Sequence, residues 1–133
     1  MADEVLVTDT DVIIGFLRGR DPGSGTVRKL IARGHLRITA VTAFELRLGA
    51  DFLDREHRIM ALLRGKTLPM DLLAGIHAGD IYSRLRASGL EIGIKDSLQA
   101  GVCRRFDIPL CTGNVRHFER VAGLRLVPIA EER

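Results

Sequence analysis

Short apolar runs recur along the chain and are separated by segments with helical spacing. The run EVLVT at 4–8 is short and almost continuously apolar, which is typical of a strand buried on both faces. The pattern predicts four further short strands, at 36–39, 66–69, 108–112 and 125–129. We therefore predict a sheet of four to five strands.

The intervening segments predict helices. These cover 10–17, 25–33, a long segment from about 42 that contains FELRLGADFL, and then 56–65, 71–88, 94–106 and 115–121. Strands that alternate with helices imply a mainly parallel sheet with helices on both faces. At 133 residues and 14.7 kDa, the chain has the size of one domain, which we place at 1–133.

Composition narrows the class of protein. The chain contains no apolar run long enough to span a bilayer, and its first residues, MADE, are acidic and unlike a signal peptide. We expect a cytoplasmic protein without a membrane partner. Cys103 and Cys111 have no zinc-ligand spacing and are expected to be reduced, partly buried thiols.

Basic residues are mostly arginine. Lysine occurs only at positions 29, 66 and 95, so the other 17 of the 20 basic residues are arginine. Arginine recognises phosphate better than lysine does, which favours a nucleic-acid partner, although arginine richness also follows genomic composition. Without tryptophan and with one tyrosine, the chain is not expected to offer an aromatic platform for stacked bases.

Polar side chains stand where predicted strands end and helices begin. Asp9 and Asp11 follow the first strand, and each has a simple interpretation as a helix cap. Thr42 and Glu45 match a capping box, with Glu45 as its third helical residue. Asp96 lies in a first helical turn, where the helix dipole favours an anion, and Asn114 is in a capping position.

Taken together, these side chains indicate more than caps. Asp9 and Asn114 follow strands, while Glu45 and Asp96 begin helices, so all four face the edge where parallel sheets bind ligands. Clustered carboxylates repel one another, and a divalent cation is the simplest compensation. Oxygen ligands suit Mg²⁺ or Mn²⁺, and the absence of cysteine and histidine from this set argues against zinc.

Four blocks of the chain resemble a PIN domain, in particular the VapC-type toxin ribonucleases of VapBC toxin–antitoxin systems. They read LVTDTDVII, ITAVTAFELRLGA, GLEIGIKDSLQAGVC and PLCTGNVRHFERVAGL and together span about 5–127. The resemblance implies a three-layer α/β/α sandwich. By position, it implies Asp9, Glu45 and Asp96 as catalytic ligands of one or two Mg²⁺ or Mn²⁺ ions, and Asn114 as a further catalytic residue.

The implied activity is a metal-dependent endoribonuclease that hydrolyses RNA with a metal-activated water. Thr112 would help Asn114 to position the water or a phosphate, and Thr10 and Asp11 would support the site. The family also implies a homodimer and a small antitoxin. Candidate contacts to the RNA backbone are Arg18, Arg20 and Arg116, with Arg104 and Arg105 as further candidates.

Departures from the family pattern leave alternatives open. Many members carry aspartate at Asn114, so a PIN-like module that binds RNA or a partner without cutting it remains an alternative. Asp11 stands where serine or threonine is more common. VLVTDTDV also matches the opening block of haloacid-dehalogenase-like phosphatases, with Asp9 as nucleophile and Asp11 as acid/base, although CTGN lacks the later acids and Asp80 is mid-helix.

Three remaining features are given the simpler interpretation or left open. Asp80 is expected to be a solvated surface acid. His117, beside Phe118, is expected to be a packed or half-exposed spacer rather than a base. Phe44, Leu48 and Phe52 recur at i+4, so they face either the core or a partner helix.

Overall fold

The sheet has five strands, all joined in parallel. The computed structural model describes residues 4–129; the ends of the predicted domain, 1–3 and 130–133, lie outside the described residues. The strand order is β3-β2-β1-β4-β5. The strands are β1 (Leu6–Thr8), β2 (Leu36–Thr39), β3 (Thr67–Leu68), β4 (Leu110–Thr112) and β5 (Leu126–Pro128). The prediction of a parallel sheet is confirmed.

Seven helices connect the strands within the described residues, and none of them is long and apolar enough to cross a membrane. They are α1 (Thr10–Leu17), α2 (Gly23–Arg33), α3 (Ala40–Leu48), α4 (Phe52–Leu63), α5 (Leu72–Ala87), α6 (Ile94–Phe106) and α7 (Val115–Phe118). The predicted long helix from 42 was wrong. It starts at Ala40 and ends at Leu48, because Gly49 has an extended backbone conformation, and α4 begins anew at Phe52.

Helices cover both faces of the sheet. Neighbouring strand residues point to opposite faces, so Leu6 joins one hydrophobic cluster and Val7 the other. The first cluster includes residues of α1 to α4, such as Ile13, and the second includes residues of α5 to α7, such as Phe118. The two clusters confirm the three-layer α/β/α sandwich.

The two cysteines are free and buried. Cys111 belongs to the first cluster and Cys103 to the second. Burial raises the pKa of the Cys111 thiol to about 11, and burial also raises the pKa of Cys103. Both therefore stay protonated at neutral pH, as expected of structural thiols.

Helix α6 buries a face of small residues against α5. Its apolar residues Leu98, Val102 and Phe106 recur at i+4, but only Val102 among them is fully buried. A Cβ built on Gly101 would lie 2.6 Å from Ala78 Cβ, so the two helices approach too closely there for larger side chains. Because the helices approach so closely, small residues of α6 face α5 and its larger residues lie at the edge of the contact.

Strand β1 lies at the centre of the sheet and sets the position of the candidate site. The chain winds outward from β1 to β2 and β3, then returns to place β4 on the other side of β1. The direction of winding therefore reverses between β1 and β4, where Val7 pairs with Leu110. A crevice opens at such a reversal, beyond the carboxyl ends of the strands.

Candidate active site

Asp9 lies at the mouth of the crevice between β1 and β4. Its backbone N–H donates to Cys111 O at 3.0 Å, which continues the sheet by one residue. Its Oδ1 accepts from Thr10 N at 2.9 Å, and its Oδ2 accepts from the Thr112 hydroxyl at 2.9 Å. Asp9 is thus a helix cap, as its simpler interpretation predicted, and its carboxylate also faces the residues that follow β4.

Thr112 joins Asn114 to this carboxylate. The Thr112 hydroxyl donates to Asp9 and accepts from Asn114 N at 2.9 Å. Asn114 is the N-cap residue of α7, as its capping position predicted, but its side chain makes no cap hydrogen bond. Both residues line an open cleft together with Asp9 and Asp11. The sequence predicts only that these residues lie at the same edge of the sheet, and the structure shows that they line one cleft.

Glu45 reaches the site from α3, but not through a capping box. Thr39 is the N-cap of α3, and its hydroxyl accepts from Thr42 N at 3.3 Å. The helix starts directly after β2, so Glu45 lies beyond the first turn and cannot return to the cap. Its Oε1 accepts from the Thr10 hydroxyl at 2.7 Å, and Lys95 Nζ lies 3.4 Å from its Oε2.

Asp96 approaches from the first turn of α6 and contacts His117. Asp96 Oδ2 lies 2.8 Å from His117 Nε2, which is also 3.1 Å from Ile92 O. His117 is half-buried, as expected, but its contact with a predicted site acid was not predicted. The only signal was its position three residues after Asn114, one helical turn along.

The carboxylates lie close enough to oppose one another's ionisation. Burial raises the pKa of Asp9, and the charges of Asp96 and Asp11 raise it further, against its hydrogen bonds to Thr112 and Thr10. Burial likewise raises the pKa of Asp96, and the charges of Glu45 and Asp11 add to this against the contact with His117. The predicted acids therefore lie near enough at this edge of the sheet to act on one another through their charges.

The donor set fits an open magnesium or manganese site. All candidate ligands are oxygens. Asp9 and Asp96, whose pKa values are raised, pair with no arginine in residues 4–129. Over the same range, no three acidic, histidine or cysteine side chains converge as a ready metal cage. Mg²⁺ usually binds through one or two carboxylates, waters and substrate phosphates, so an open cluster suits it.

Two arginines of the predicted RNA path lie beside the acids. Arg20 lines the cleft with Asp9 and Asp11, and Arg18 lines a neighbouring pocket with Glu45. Arg116 is exposed on α7. These three remain candidates for contacts to a phosphate backbone.

The other two arginines pair with an acid of α5, Asp80, and with its N-cap residue, Asp71. Arg104 Nη2 lies 2.8 Å from Asp80, and Arg105 Nε lies 3.0 Å from Asp71. Asp80 also pairs with Arg84 at 2.7 Å, and the hydrogen bonds from these arginines lower its pKa. Asp80 is therefore an ion-pair residue rather than a free surface acid. The ion pairs of Arg104 and Arg105 connect α6 to α5 and its N-cap.

Fold and site together define an α/β protein with an acidic, oxygen-rich centre where the winding of a parallel sheet reverses. The model of the PIN domain family matches residues 6–124. The chain belongs to the PIN domain family. The resemblance found in its four sequence blocks is confirmed, and the phosphatase alternative receives no support.

The chain is similar in sequence to VapC proteins of two bacteria. The chain is 33% identical over 122 residues to the tRNA(fMet)-specific endonuclease VapC of Shigella flexneri, which covers 88% of this chain and 92% of the relative. It is 31% identical over 121 residues to ribonuclease VapC10 of Mycobacterium tuberculosis, covering 91% of each.

Solved structures share the fold. DNA-bound VapBC from Salmonella typhimurium superposes with a TM-score of 0.79 at 24% identity, covering 96% of this chain and 99% of the other. VapBC2 from Rickettsia felis, bound to a DNA fragment from its promoter, gives a TM-score of 0.77 at 17% identity over 93% and 98% of the two chains. The predicted PIN-like architecture is therefore confirmed.

Proposed function

We propose that the protein is a metal-dependent endoribonuclease and the toxin of a VapBC-like toxin–antitoxin pair, acting on RNA in the cytoplasm. The cluster of Asp9, Glu45 and Asp96 at the carboxyl edge of the sheet carries the proposal. Similarity to two VapC ribonucleases supports the same reaction. Because all three acids are present, cleavage is favoured over the module that only binds RNA.

Asp9, Glu45 and Asp96 would hold one or two Mg²⁺ or Mn²⁺ ions. Such an ion, when bound, polarises a phosphoryl oxygen and activates a water for attack. Thr10 and Thr112 orient the carboxylates of Glu45 and Asp9 by donating hydrogen bonds to them. Each acid keeps further lone pairs free for a cation, because only part of its acceptor capacity is used.

The surroundings of the acids favour an RNA phosphate. The N-termini of α1 and α6 lie at this edge of the sheet, and helix N-termini attract anions. Arg18 and Arg20 flank the acids, and arginine forms forked hydrogen bonds with phosphate. Asn114, held near Asp9 through Thr112, would orient the substrate or the attacking water by hydrogen bonding.

Partners are proposed from exposed apolar side chains. Phe44 and Leu48 are 57% and 65% exposed on α3, whereas Phe52 is 8% exposed, so only Phe52 has the core role. An antitoxin helix would cover Phe44 and Leu48, in keeping with the VapBC complexes among the structural relatives.

We expect the chain alone to be a homodimer. Light scattering should give twice the chain mass, and a monomer mass would contradict this.

Cleavage of RNA tests the proposal directly. Wild-type protein and Asp96→Asn are incubated with structured RNA, including initiator tRNA, and with unstructured RNA, in Mn²⁺, Mg²⁺ or EDTA. We expect the wild type to cut only with metal and Asp96→Asn to lose this activity, because the amide removes a charged oxygen ligand. Asp54→Asn changes an exposed acid on α4 and should cut like the wild type.

Two results would contradict the proposal. Equal cutting by wild type and Asp96→Asn would remove Asp96 from the site and indicate a contaminating nuclease. Failure of the wild type to cut any RNA, together with no heat of Mn²⁺ binding in calorimetry, would favour the non-catalytic module. Calorimetry of the wild type also counts the ions per chain, which bears on the neutral side chain of Asn114.

A further inference from the structure

A row of buried polar side chains leads from the protein interior to Glu45. Its members belong to β2, α6, α3 and α1, and each is at most 6% exposed: Thr39, Gln99, Thr42 and Thr10. Buried polar groups need hydrogen-bond partners, and these four find them in one another. The row ends on a carboxylate of the proposed site rather than inside the core.

The contacts form a continuous chain. The Thr39 hydroxyl donates to Gln99 Oε1. Gln99 Nε2 donates to the Thr42 hydroxyl at 3.3 Å, the Thr42 and Thr10 hydroxyl oxygens lie 2.8 Å apart, and Thr10 donates to Glu45 Oε1 at 2.7 Å. The chain therefore connects α6 to α3, α3 to α1, and α1 back to the acid on α3.

The chemistry of the end groups fixes the direction of every bond. A carboxylate only accepts, so Thr10 gives its single hydroxyl hydrogen to Glu45. The hydrogen between Thr10 and Thr42 must then come from Thr42, which leaves Thr42 able only to accept from the amide of Gln99. The amide orientation of Gln99 is set in turn, with its oxygen toward Thr39. Reversing any one bond would leave two acceptor oxygens facing each other.

We propose that Gln99 and Thr42 are positioning residues that hold the Glu45 carboxylate, through Thr10, in the orientation for binding a divalent cation. The inference rests on the proposed function. Thr10 alone can rotate about its side-chain bond, and the hydrogen that it accepts from Thr42 removes this freedom. Outer residues that orient metal ligands in this way change metal affinity even though they do not touch the ion.

A role in stability alone makes a different prediction. Removing one partner of a buried hydrogen bond leaves the other partner unsatisfied and lowers stability. With a role in stability alone, Thr42→Val, which has the shape of threonine without its hydroxyl, and Gln99→Met would lower the melting temperature and leave the Mn²⁺ affinity of the folded protein unchanged. Under the positioning role, Thr42→Val releases Thr10 directly and Gln99→Met releases Thr42, so both weaken cation binding while the fold remains intact.

Mn²⁺ affinity, measured by calorimetry on the full chain without RNA, tests the inference. Thr42→Val and Gln99→Met should each weaken Mn²⁺ binding by about tenfold. Thr42→Ser keeps the hydroxyl and should bind Mn²⁺ like the wild type. Val102→Ala truncates a buried side chain of α6 outside the row and is the matched control. It should lower the melting temperature without weakening Mn²⁺ binding.

Several outcomes would overturn the inference, and they are distinguishable from failure of the proposed function. Wild-type affinity in both Thr42→Val and Gln99→Met would overturn it alone, as would equal weakening in Val102→Ala or in Thr42→Ser. If one of the two variants fails to fold, the other decides. A wild type that binds no Mn²⁺ would overturn the proposed function and the inference together.

Discussion

Glu45→Gln should lower the rate of RNA cleavage by about 100- to 1,000-fold, since a bound cation supplies several kcal/mol and 1.4 kcal/mol corresponds to tenfold. Glutamine can still accept the hydrogen bond from Thr10, so the fold should be retained. The charged oxygen near Lys95 is lost, and with it the ligand. Single-turnover cleavage at saturating Mn²⁺, with circular dichroism as a check on folding, measures the effect.

Asp11→Asn provides the contrast within the same cleft. Asp11 is exposed in the first turn of α1 and acts on Asp9 and Asp96 through its charge. Its amide should change cleavage by less than about tenfold, the scale of one kcal/mol of surface electrostatics. A large loss in Asp11→Asn with little loss in Glu45→Gln would contradict the nuclease assignment, because a phosphatase with Asp11 as acid/base predicts this reverse order.

Gly101→Ala should destabilise the protein by about 2 kcal/mol, within the usual range for overpacking a close contact. The added Cβ would lie 2.7 Å from Ala78 N and 2.8 Å from Ala74 O, as well as 2.6 Å from Ala78 Cβ. Backbone atoms cannot move aside as a flexible side chain can, so α5 and α6 must separate. The separation outweighs the better helix propensity of alanine, which favours the variant by about 1 kcal/mol.

Gly79→Ala is the matched control for the same substitution on the facing helix. No atom lies within 4 Å of a Cβ built on Gly79, and the residue is exposed within α5. Alanine there should raise the free energy of unfolding by about 0.5–1 kcal/mol, because glycine loses more backbone freedom on folding. Urea unfolding of both variants measures the difference. Similar stabilisation of both would show that the helices do not pack tightly at Gly101.

The centre of the sheet was predictable because β1 and β4 are buried on both faces. Such strands are continuous apolar runs, and runs of this kind at 4–8 and 108–112 stand out between helical segments. Asp9 and Asn114 could be placed at one edge because parallel strands share the same carboxyl end. Topology therefore placed the candidate acids without knowledge of any contact.

Contacts between distant helices were not predictable in the same way. The pairing of His117 with Asp96 and of Lys95 with Glu45 depends on how α3, α6 and α7 pack. For Gln99, the sequence offers one weak signal of a buried polar contact: it is a long polar side chain on a helix whose other buried residues are small. The capping box at Thr42 failed because Thr39, at the end of β2, caps the helix three residues earlier.

The central position of β1 also bears on when the candidate site is completed during synthesis. Strand β1 pairs with β2 and with β4, and β4 is made about a hundred residues after β1; the Asp9 carboxylate and the Thr112 hydroxyl are separated by a similar length of chain. Such distant pairings form late, because the intervening chain must first close into a loop. Under the proposed function, a chain released before β4 is made would lack the completed site, so cleavage would begin only near the end of synthesis.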